Sequence, residues 1–281
     1  MILVTGATGT VGRHVVTRLA ERRVPVRALV RDPAKAERLP AGAEIVQGDL
    51  SDPGTLHHAL EGVTAVFLFA VPGCGPGFVA AAEKAGVERV VFLSSGAVDD
   101  DGGPADQDNP IAAYHAEIEW ALRDSGLGWT FLRSSHMATN ALPWAAQTKA
   151  GDVVRAPYAG AFSAPVHEAD LADCAVVALT APGHTGHVYE LTGPESLTAA
   201  EQVALVGAAI GRPLRYEELP PEVAREQMSR FVPPFILDTL FAGWEASVGV
   251  PAFVFPTVER ITGRPARTFA QWATDHAADF A

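Results

Sequence analysis

A glycine-rich turn near the start of the chain constrains the fold more than any other feature. The turn has the sequence GATGTVG at 6–12 and directly follows Ile2–Thr5, a short apolar run typical of a buried strand. Apolar residues then recur at helical spacing as far as Glu21. The sequence therefore predicts a strand, a tight turn and a helix in immediate succession.

Each glycine has a physical role in a turn of this kind. Gly6 permits the tight exit from the strand, Gly9 lets the backbone approach a pyrophosphate, and Gly12 lets the helix pack close to the sheet. The first N–H groups of the helix have no partners within it, and the positive end of its dipole attracts anions. The glycine spacing in this context therefore predicts a dinucleotide-binding site.

Strand-like and helix-like segments alternate through the first half of the chain. The predicted strands are Ile2–Thr5, Val26–Val30, Glu44–Gln47, Ala65–Ala70, Arg89–Leu93 and Trp129–Leu132. The predicted helices between them are Val11–Glu21, Phe78–Ala85 and Pro110–Ser125. Such alternation is typical of βαβ units with right-handed crossovers. It predicts an α/β fold with a doubly wound parallel sheet of the Rossmann type.

The pattern becomes less regular after residue 134. Helices are predicted over Asp170–Leu179, Thr198–Ile210 and Thr268–Phe280, and a strand over Val188–Leu191. We expect residues 1–155 to form the Rossmann domain and residues 156–281 to form a smaller, mainly helical substrate lobe. The two parts are expected to be partly intertwined in one compact unit.

Composition narrows the classes of partner. The 281 residues carry a formal net charge of −12 and no basic cluster, which disfavours nucleic acid and favours a small-molecule substrate. Cys74 and Cys174 lie far apart and predict neither a metal site nor a disulfide framework. No apolar run has the length of a membrane span, and the N-terminus lacks the basic region of a signal peptide. We expect a cytoplasmic monomer or homodimer.

The end of the second predicted strand bears on the choice of dinucleotide. Arg31 suits the 2′-phosphate of NADP(H) through charge-assisted hydrogen bonds, and Arg13 could add a second cation. Asp32 could instead accept the ribose 2′-OH of NAD(H). The sequence favours NADP(H), with NAD(H) as the alternative. The predicted cofactor contacts are Gly6, Thr8, Gly9, Thr10, Val11, Gly12, Arg31, Asp49, Leu50, Phe69, Ala70, Val71 and Ser94.

Several segments together resemble the NmrA-like, atypical short-chain dehydrogenase/reductase family of NAD(P)-binding proteins. They are TGATGTVGR at 5–13, LVRDPAK at 29–35, GDLSD at 48–52, VVFLSS at 90–95, HAEIEWALRDSGLGWTFLR at 115–133, EADLADCA at 168–175, YELTGPESLTAAE at 189–201 and TGRPARTFAQWATDHAADF at 262–280. The resemblance covers essentially the whole chain, and its last segment is similar to actinobacterial members. SGLGWTFLR and LTGPESLT are more specific than the glycine motif, which many families share.

The resemblance carries implications for fold and activity. It implies a doubly wound fold with a small C-terminal substrate lobe, and NADP(H) more often than NAD(H). It further implies an NADP(H)-dependent reductase that acts on a small apolar carbonyl, quinone or enone. Two alternatives remain within the same fold, namely a non-catalytic NAD(P)-binding redox sensor or regulator, and an isomerase or epimerase.

The usual catalytic pair of short-chain reductases is incomplete in this chain. Tyr114 is suitably placed for the proton-donating tyrosine, but the residue four positions later is Ile118 rather than lysine. A phenol without a nearby lysine has a pKa of about 10 and donates a proton poorly near neutral pH. His115 and Ser95 are the other candidate catalytic residues.

Candidate substrate contacts follow the sixth predicted strand. They are His136, Met137, Asn140, Tyr158 and Phe162. Asn140 matches an asparagine that the resembling family carries at a similar distance after TFLR. Tyr158 and Phe162 lie in a glycine-rich segment that could close over the nicotinamide.

Overall fold

A computed structural model describes residues 1–281. Its strands are β1 (Ile2–Val4), β2 (Val26–Val30), β3 (Glu44–Gln47), β4 (Ala65–Phe69), β5 (Arg89–Ser95), β6 (Gly128–Ser134), β7 (Val153–Ala156), β8 (Phe162–Ser163), β9 (His187–Leu191), β10 (Leu197–Thr198) and β11 (Arg215–Glu218). Its α-helices are α1 (Gly12–Glu21), α2 (Leu56–Leu60), α3 (Gly75–Ala85), α4 (Pro110–Arg123), α5 (Ala145–Ala150), α6 (Glu168–Thr180), α7 (Ala199–Ala209), α8 (Pro221–Met228), α9 (Pro234–Ala246), α10 (Thr257–Thr262), α11 (Phe269–Asp275) and α12 (Ala277–Phe280). None of these helices combines the length and apolar character that a membrane crossing requires.

Seven strands form one parallel sheet in the order β3-β2-β1-β4-β5-β6-β9. The chain moves outward from β1 to β3 and then returns to β4 on the other side of β1. The carboxyl ends of β1 and β4 therefore flank the switch point at which ligands of such sheets bind. The predicted doubly wound fold is confirmed.

Buried apolar side chains hold helices to both faces of this sheet. One cluster packs the sheet against α2, α3 and α4, and it includes Phe78, Phe92 and Phe131. On the opposite face α1 packs against α6, where the Arg18 Nε donates to Asp173 Oδ1 at 2.8 Å. The helix α3 begins three residues before its predicted start, because a proline is tolerated in the first helical turn.

The chain divides into two compact units. The first comprises Met1–Ser134, Glu168–Leu191 and Arg260–Gly263. The second comprises Ser135–His167, Thr192–Glu259 and Arg264–Ala281. Each unit is thus built from separate stretches of chain, and the first contains the seven-stranded sheet. The domain boundary near residue 155 stays a prediction, which limited proteolysis would test.

The second unit combines two short strand pairs with helices. The strands β7 and β11 pair in parallel, and β8 and β10 pair antiparallel. Its largest apolar cluster includes Val154, Val203, Val206, Phe269, Trp272 and Phe280. The single terminal helix predicted over Thr268–Phe280 is wrong in detail, since α11 and α12 meet at His276. The sequence did not predict these short strands or α5, and it predicted a mainly helical lobe without bounds for α8, α9 and α10.

Candidate functional site

The glycine turn links β1 to α1 as the sequence predicted. Gly6 has φ of +57°, which favours glycine, and the Gly9 N–H donates to the Gly6 carbonyl at 2.9 Å. A Cβ on Gly12 would lie 2.2 Å from the Gly6 carbonyl oxygen, so no side chain fits there. The N-cap residue Val11 makes no capping side-chain bond. The N–H groups of Arg13 and His14 donate to the carbonyls of Gly9 and Val11, so the attraction for an anion comes chiefly from the positive end of the α1 dipole and from the turn itself. These features fit a bound pyrophosphate.

The end of β4 lies directly against this turn. Thr5 Oγ1 donates to the Phe67 carbonyl and accepts the Phe69 N–H at 2.7 Å, which ties β1 to β4. A Cβ on Gly6 would lie 3.0 Å from the Phe69 Cβ. The Phe69 side chain remains 46% exposed, whereas Ala70 is buried. An exposed aromatic ring beside the glycine turn fits the apolar wall of a ligand site.

The two candidates for the ribose end have different surroundings. Arg31 is exposed, and its carbonyl accepts from the Gln47 amide at 3.1 Å. The Asp32 carboxylate accepts the Ala34 N–H and caps the 3-10 helix Pro33–Arg38. The Asp32 carboxylate therefore already has a structural role. The hydrogen bond between Arg31 and Gln47 involves the backbone carbonyl of Arg31, so its guanidinium is the better candidate for contact with a ligand.

Asp49 and Leu50 follow β3 at the same edge. The pKa of Asp49 is below its ordinary value, chiefly because its carboxylate accepts the Ser51 N–H and also because Arg31 lies nearby. Leu50 is buried in the core of the first unit. Asp49 and Arg31 thus present opposite charges near the ends of β3 and β2, and these charges attract each other.

A buried ionic network lies at the carboxyl ends of β5 and β6. Arg133 donates to both carboxylate oxygens of Glu119, from Nε at 2.9 Å and from Nη2 at 2.6 Å. It also donates to both oxygens of Asp100, at 2.8 and 2.9 Å. Ser94 Oγ lies 2.6 Å from Glu119 Oε1 and donates to it, because an ionised carboxylate can only accept. The network therefore engages the hydroxyl of Ser94.

The surroundings of this network shift the pKa of two carboxyl groups. Hydrogen bonds from Arg133 hold the pKa of Asp100 below its ordinary value. Burial raises the pKa of Glu190, whose carboxylate lies 3.8 Å from the Arg133 Nη1. Sequence reasoning missed the network, although a charged Glu119 on the apolar face of a helix was a usable signal. Charged residues are seldom fully buried without a partner.

Tyr114 and His115 lie together on α4. Their ring centroids are 4.2 Å apart, and the His115 Nδ1 donates to the Ile111 carbonyl at 2.7 Å. Burial lowers the pKa of His115 to about 4 and raises the pKa of Tyr114. His115 is therefore neutral near pH 7. Neither pKa suits proton donation near pH 7, because neutral His115 carries no acidic proton of an imidazolium and Tyr114 holds its proton more tightly than a free phenol. Their catalytic roles stay predictions.

Because His115 is neutral in the folded protein, the stability of the protein should depend on pH. Its folded pKa of about 4 lies below the ordinary 6.5, so the unfolded chain binds more protons between these values. We expect the free energy of unfolding to fall by up to about 3 kcal/mol as pH drops from 6.5 to 4. In His115→Phe, the free energy of unfolding from urea denaturation should decrease less across this pH range than in wild type. The exposed His57→Phe is the control, and equal slopes in all three proteins would contradict the assignment.

Ser95 lies apart from Tyr114 and His115. Side chains alternate along a strand, so Ser95 points to the opposite face of the sheet from Ser94, which bonds to Glu119 of α4. Ser95 Oγ accepts the Ala97 N–H at 3.2 Å. The structure therefore does not bring the three candidate catalytic residues together as one group.

The five candidate substrate residues all fall in the second unit. Met137 pairs with Val166 in an isolated bridge, and burial lowers the pKa of His136. Asn140 is exposed, and its N–H donates to the Met137 carbonyl at 3.0 Å. Their role in substrate binding stays a prediction.

Tyr158 and Phe162 occupy different settings within that unit. Tyr158 has φ of +56° and packs edge-on against Phe241 at 6.0 Å between centroids. Phe162 is half-buried in β8, and its N–H donates to the Ser247 carbonyl. A positive φ at a residue other than glycine is uncommon and indicates that the surrounding packing fixes the Tyr158 backbone.

Comparison with known proteins places the chain in a family. A model of an NAD(P)H-binding family matches residues 6–182. A (4-alkanoyl-5-oxo-2,5-dihydrofuran-3-yl)methyl phosphate reductase of Streptomyces griseus is 44% identical, over 100% of this chain and 99% of its own. An NAD(P)H azoreductase of Xenophilus azovorans is 38% identical, over 100% and 99%.

Solved structures agree with these relatives. The NADPH-dependent quinone oxidoreductase of Escherichia coli, in complex with NADPH, superposes with a TM-score of 0.81. It is 29% identical and is matched over 98% of this chain and 99% of its own. The relatives and neighbours are of the NmrA-like, atypical short-chain dehydrogenase/reductase type, as the sequence motifs indicated. The chain belongs to this NAD(P)H-binding family.

Proposed function

We propose that the protein is an NADPH-dependent reductase of a small apolar acceptor, either a carbonyl compound, a quinone or an enone. The observation that carries the proposal is the full-length likeness, at 44% identity, to a reductase of a dihydrofuranone phosphate. The glycine turn supports it, because it combines an uncapped helix N-terminus with a backbone cradle at Gly12.

The residues that would hold the dinucleotide lie along one edge of the sheet. The turn at 6–12 would hold the pyrophosphate and Arg31 the 2′-phosphate, while Phe69 and Val71 would flank the middle of the molecule. When bound in its reduced form, the nicotinamide supplies a hydride. The ionic network of Arg133 would hold the ends of β5 and β6 in place during the reaction.

The relatives share a chemical class of acceptor. Their names specify a furanone, an azo compound and a quinone, all of which are conjugated electron acceptors. We therefore expect turnover with a 2,5-dihydrofuranone, a benzoquinone or an azo dye. The decrease in NADPH absorbance measures this turnover. A matched set of saturated ketones tests the breadth of the activity. No oxidation of NADPH across the whole panel would overturn the proposal.

Arg31 is expected to decide the preference between cofactors. Arg31→Ala should weaken NADPH binding by roughly 1.5–3 kcal/mol, about ten- to hundredfold in Kd, and leave NADH binding unchanged. The reason is the loss of a charge-assisted contact to a phosphate that only NADPH carries. Fluorescence titration of both cofactors measures the effect, with the exposed Arg22→Ala as control. Equal binding of NADPH and NADH by wild type and variant would refute this role.

A second candidate function is a dinucleotide-binding sensor without turnover. The observation that favours it is Ile118, which is buried where short-chain reductases carry the catalytic lysine. A sensor should change its oligomeric state or its partner when NADPH replaces NADP⁺, as light scattering would show. An isomerase or epimerase would instead retain tightly bound cofactor and show no net redox change.

We further propose a cytoplasmic protein, monomeric or homodimeric, that acts on small molecules rather than nucleic acids. Its net charge of −12 would repel a phosphate backbone. Cys74 and Cys174 are both buried and form no disulfide, as in a reducing compartment. Sedimentation of the purified protein, with and without NADPH, distinguishes the two assembly states.

A further inference from the structure

The hydroxyl of Ser134 has no hydrogen-bond partner in the protein, although its Oγ atom is buried. Buried polar atoms are nearly always paired, and an exception points to a partner that the chain itself does not supply. The one other side-chain atom of this kind is the Nε of Arg89, at the amino end of β5. Ser134 is the last residue of β6, at the carboxyl edge of the sheet where the glycine turn also lies.

Ser95 is the in-register neighbour of Ser134 on the adjacent strand. The Gly96 N–H donates to the Ser134 carbonyl at 3.2 Å, which fixes the two strand ends together. Neighbours in register point to the same face of a sheet, and adjacent strands lie about 4.8 Å apart. Ser95 Oγ accepts the Ala97 N–H and therefore keeps its own proton for another acceptor. The two hydroxyls thus lie on the same face of the sheet, at the ends of adjacent strands.

Other polar groups nearby are already engaged. Ser94 donates to Glu119, and Arg133 donates to both Glu119 and Asp100. His115 uses its Nδ1 proton on the Ile111 carbonyl. Among the side chains of the last two residues of β5 and of β6, the hydroxyls of Ser95 and Ser134 are therefore the donors that remain without an acceptor. In the sheet order, these strands lie beyond β4, on the side of the switch point opposite β2 and Arg31.

We propose that Ser134 and Ser95 together donate hydrogen bonds to the carbonyl oxygen of a conjugated acceptor, and that Ser134 is a catalytic residue. The inference rests on the reductase function proposed above. The acceptor gains a hydride, supplied by NADPH, at its β carbon, and a new C–H bond forms there. The C=C pair moves to form an enolate, and the carbonyl π pair moves to oxygen. Water later returns a proton to the α carbon, and NADP⁺ is the oxidised product.

This arrangement explains how the chain can work without a tyrosine–lysine pair. The oxygen of an enolate or of a hydroquinone is a weaker base than the alkoxide of an isolated ketone, because its charge is delocalised. Two fixed hydroxyl donors can stabilise such an oxyanion without transferring a proton to it in the same step. The geometry therefore favours conjugated acceptors over saturated ketones.

Two readouts test the donor pair, and only one depends on turnover. Ser134→Ala should lower kcat with a quinone or enone by about 10- to 100-fold and leave the Kd for NADPH unchanged. The second readout is the absorbance of 4-nitrophenol bound with NADP⁺, since a phenolate mimics the oxyanion. Wild type should lower the pKa of the bound phenol, and Ser134→Ala should move it back towards its value in water. Ser95→Ala should act in the same direction.

The control is Ser135→Ala, because Ser135 is the next residue, is exposed and lies outside the donor pair. It should match wild type in both readouts. The melting temperature of Ser134→Ala should not fall, since the variant removes an unpaired buried hydroxyl. Wild-type turnover with an unchanged kcat and phenol spectrum in Ser134→Ala would overturn this inference alone. A wild type that reduces saturated ketones as fast as enones would also overturn it, whereas no turnover with any acceptor would overturn the proposed function.

Discussion

Replacing Gly12 with alanine is expected to abolish tight NADPH binding. The new Cβ would lie 2.2 Å from the Gly6 carbonyl oxygen and 2.7 Å from its carbonyl carbon. Both are backbone atoms, and the same carbonyl accepts the Gly9 N–H that closes the turn. The clash therefore cannot be relieved by a change of rotamer, and the turn or the start of α1 must move. Binding of the pyrophosphate depends on that turn, so affinity should fall by about 100-fold or more.

The same substitution should also lower stability. Overpacking of a well-filled site costs about 1–3 kcal/mol, and a clash with backbone lies at the upper end of that range. Gly42→Ala is the matched control, because a Cβ there meets nothing within 4 Å. Fluorescence titration with NADPH and thermal unfolding compare the two variants. If Gly12→Ala bound NADPH as tightly as Gly42→Ala, the turn would not be the cofactor cradle.

The parallel sheet was predictable because its central strands are buried on both faces. Residues of β4 and β5 form continuous apolar runs, and such runs separated by helical patterns leave few alternatives to βαβ units. The glycine turn was predictable for a related reason, since its spacing has a steric cause at Gly6 and Gly12. A short stretch of sequence is therefore enough to predict local features of this kind.

The candidate site was less predictable because its contacts join distant parts of the chain. The partner of Arg133 in the loop after β5 is Asp100, one of several acidic residues there, and no local pattern distinguishes it from Asp99 or Asp101. The neutral state of His115 depends on burial, and the unpaired state of Ser134 is visible only in three dimensions. Sequence spacing conveys none of these relations.

The second unit shows the same limit in its secondary structure. The strand β11 consists of four residues and pairs with β7, which lies about 60 residues earlier in the chain. An ion pair between Arg155 and Glu217 joins these two strands at the surface. Strands this short gain their stability from the partner rather than from their own sequence. Their prediction therefore requires knowledge of the pairing.

Replacing Arg133 with methionine is expected to lower the free energy of unfolding by about 3–5 kcal/mol. Glu119 is fully buried, and Arg133 supplies its two closest contacts with a cationic group, at 2.9 and 2.6 Å. Without the guanidinium, the carboxylate keeps the Ser94 hydroxyl and Arg123, whose Nη2 lies 3.3 Å away. A buried charge with incomplete pairing is costly, because its loss of hydration is no longer offset. Urea denaturation at pH 7 measures the loss.

A surface pair provides a control for this effect. Arg155 contacts Glu217 through two nitrogens at 2.9 and 3.2 Å, so its geometry resembles that of the buried pair. Both of its side chains are about half exposed, so water screens the pair and Arg155→Met should cost far less stability than Arg133→Met. Equal losses in the two variants would mean that burial does not strengthen the Arg133 network.

The pH dependence of the Arg133→Met variant separates charge from packing. Hydrogen bonds from Arg133 depress the folded pKa of Asp100, so this carboxylate stabilises wild type above its unfolded pKa of about 3.9. That stability is lost as pH falls through the lower folded pKa. The variant lacks the largest cause of the shift, although Arg123 still donates to Asp100, and its stability should therefore decline less across the same acidic range.

A double variant completes the argument. Arg133→Met with Glu119→Leu removes both buried charges, and apolar replacement of a buried pair is often neutral or stabilising. It should therefore recover most of the stability that Arg133→Met loses, although Asp100, in the loop after β5, then keeps Arg123 as its one cationic partner. Recovery of stability without recovery of turnover would show that the network positions the end of β6 for the reaction. A double variant as unstable as Arg133→Met would instead assign the loss to packing around the arginine stem.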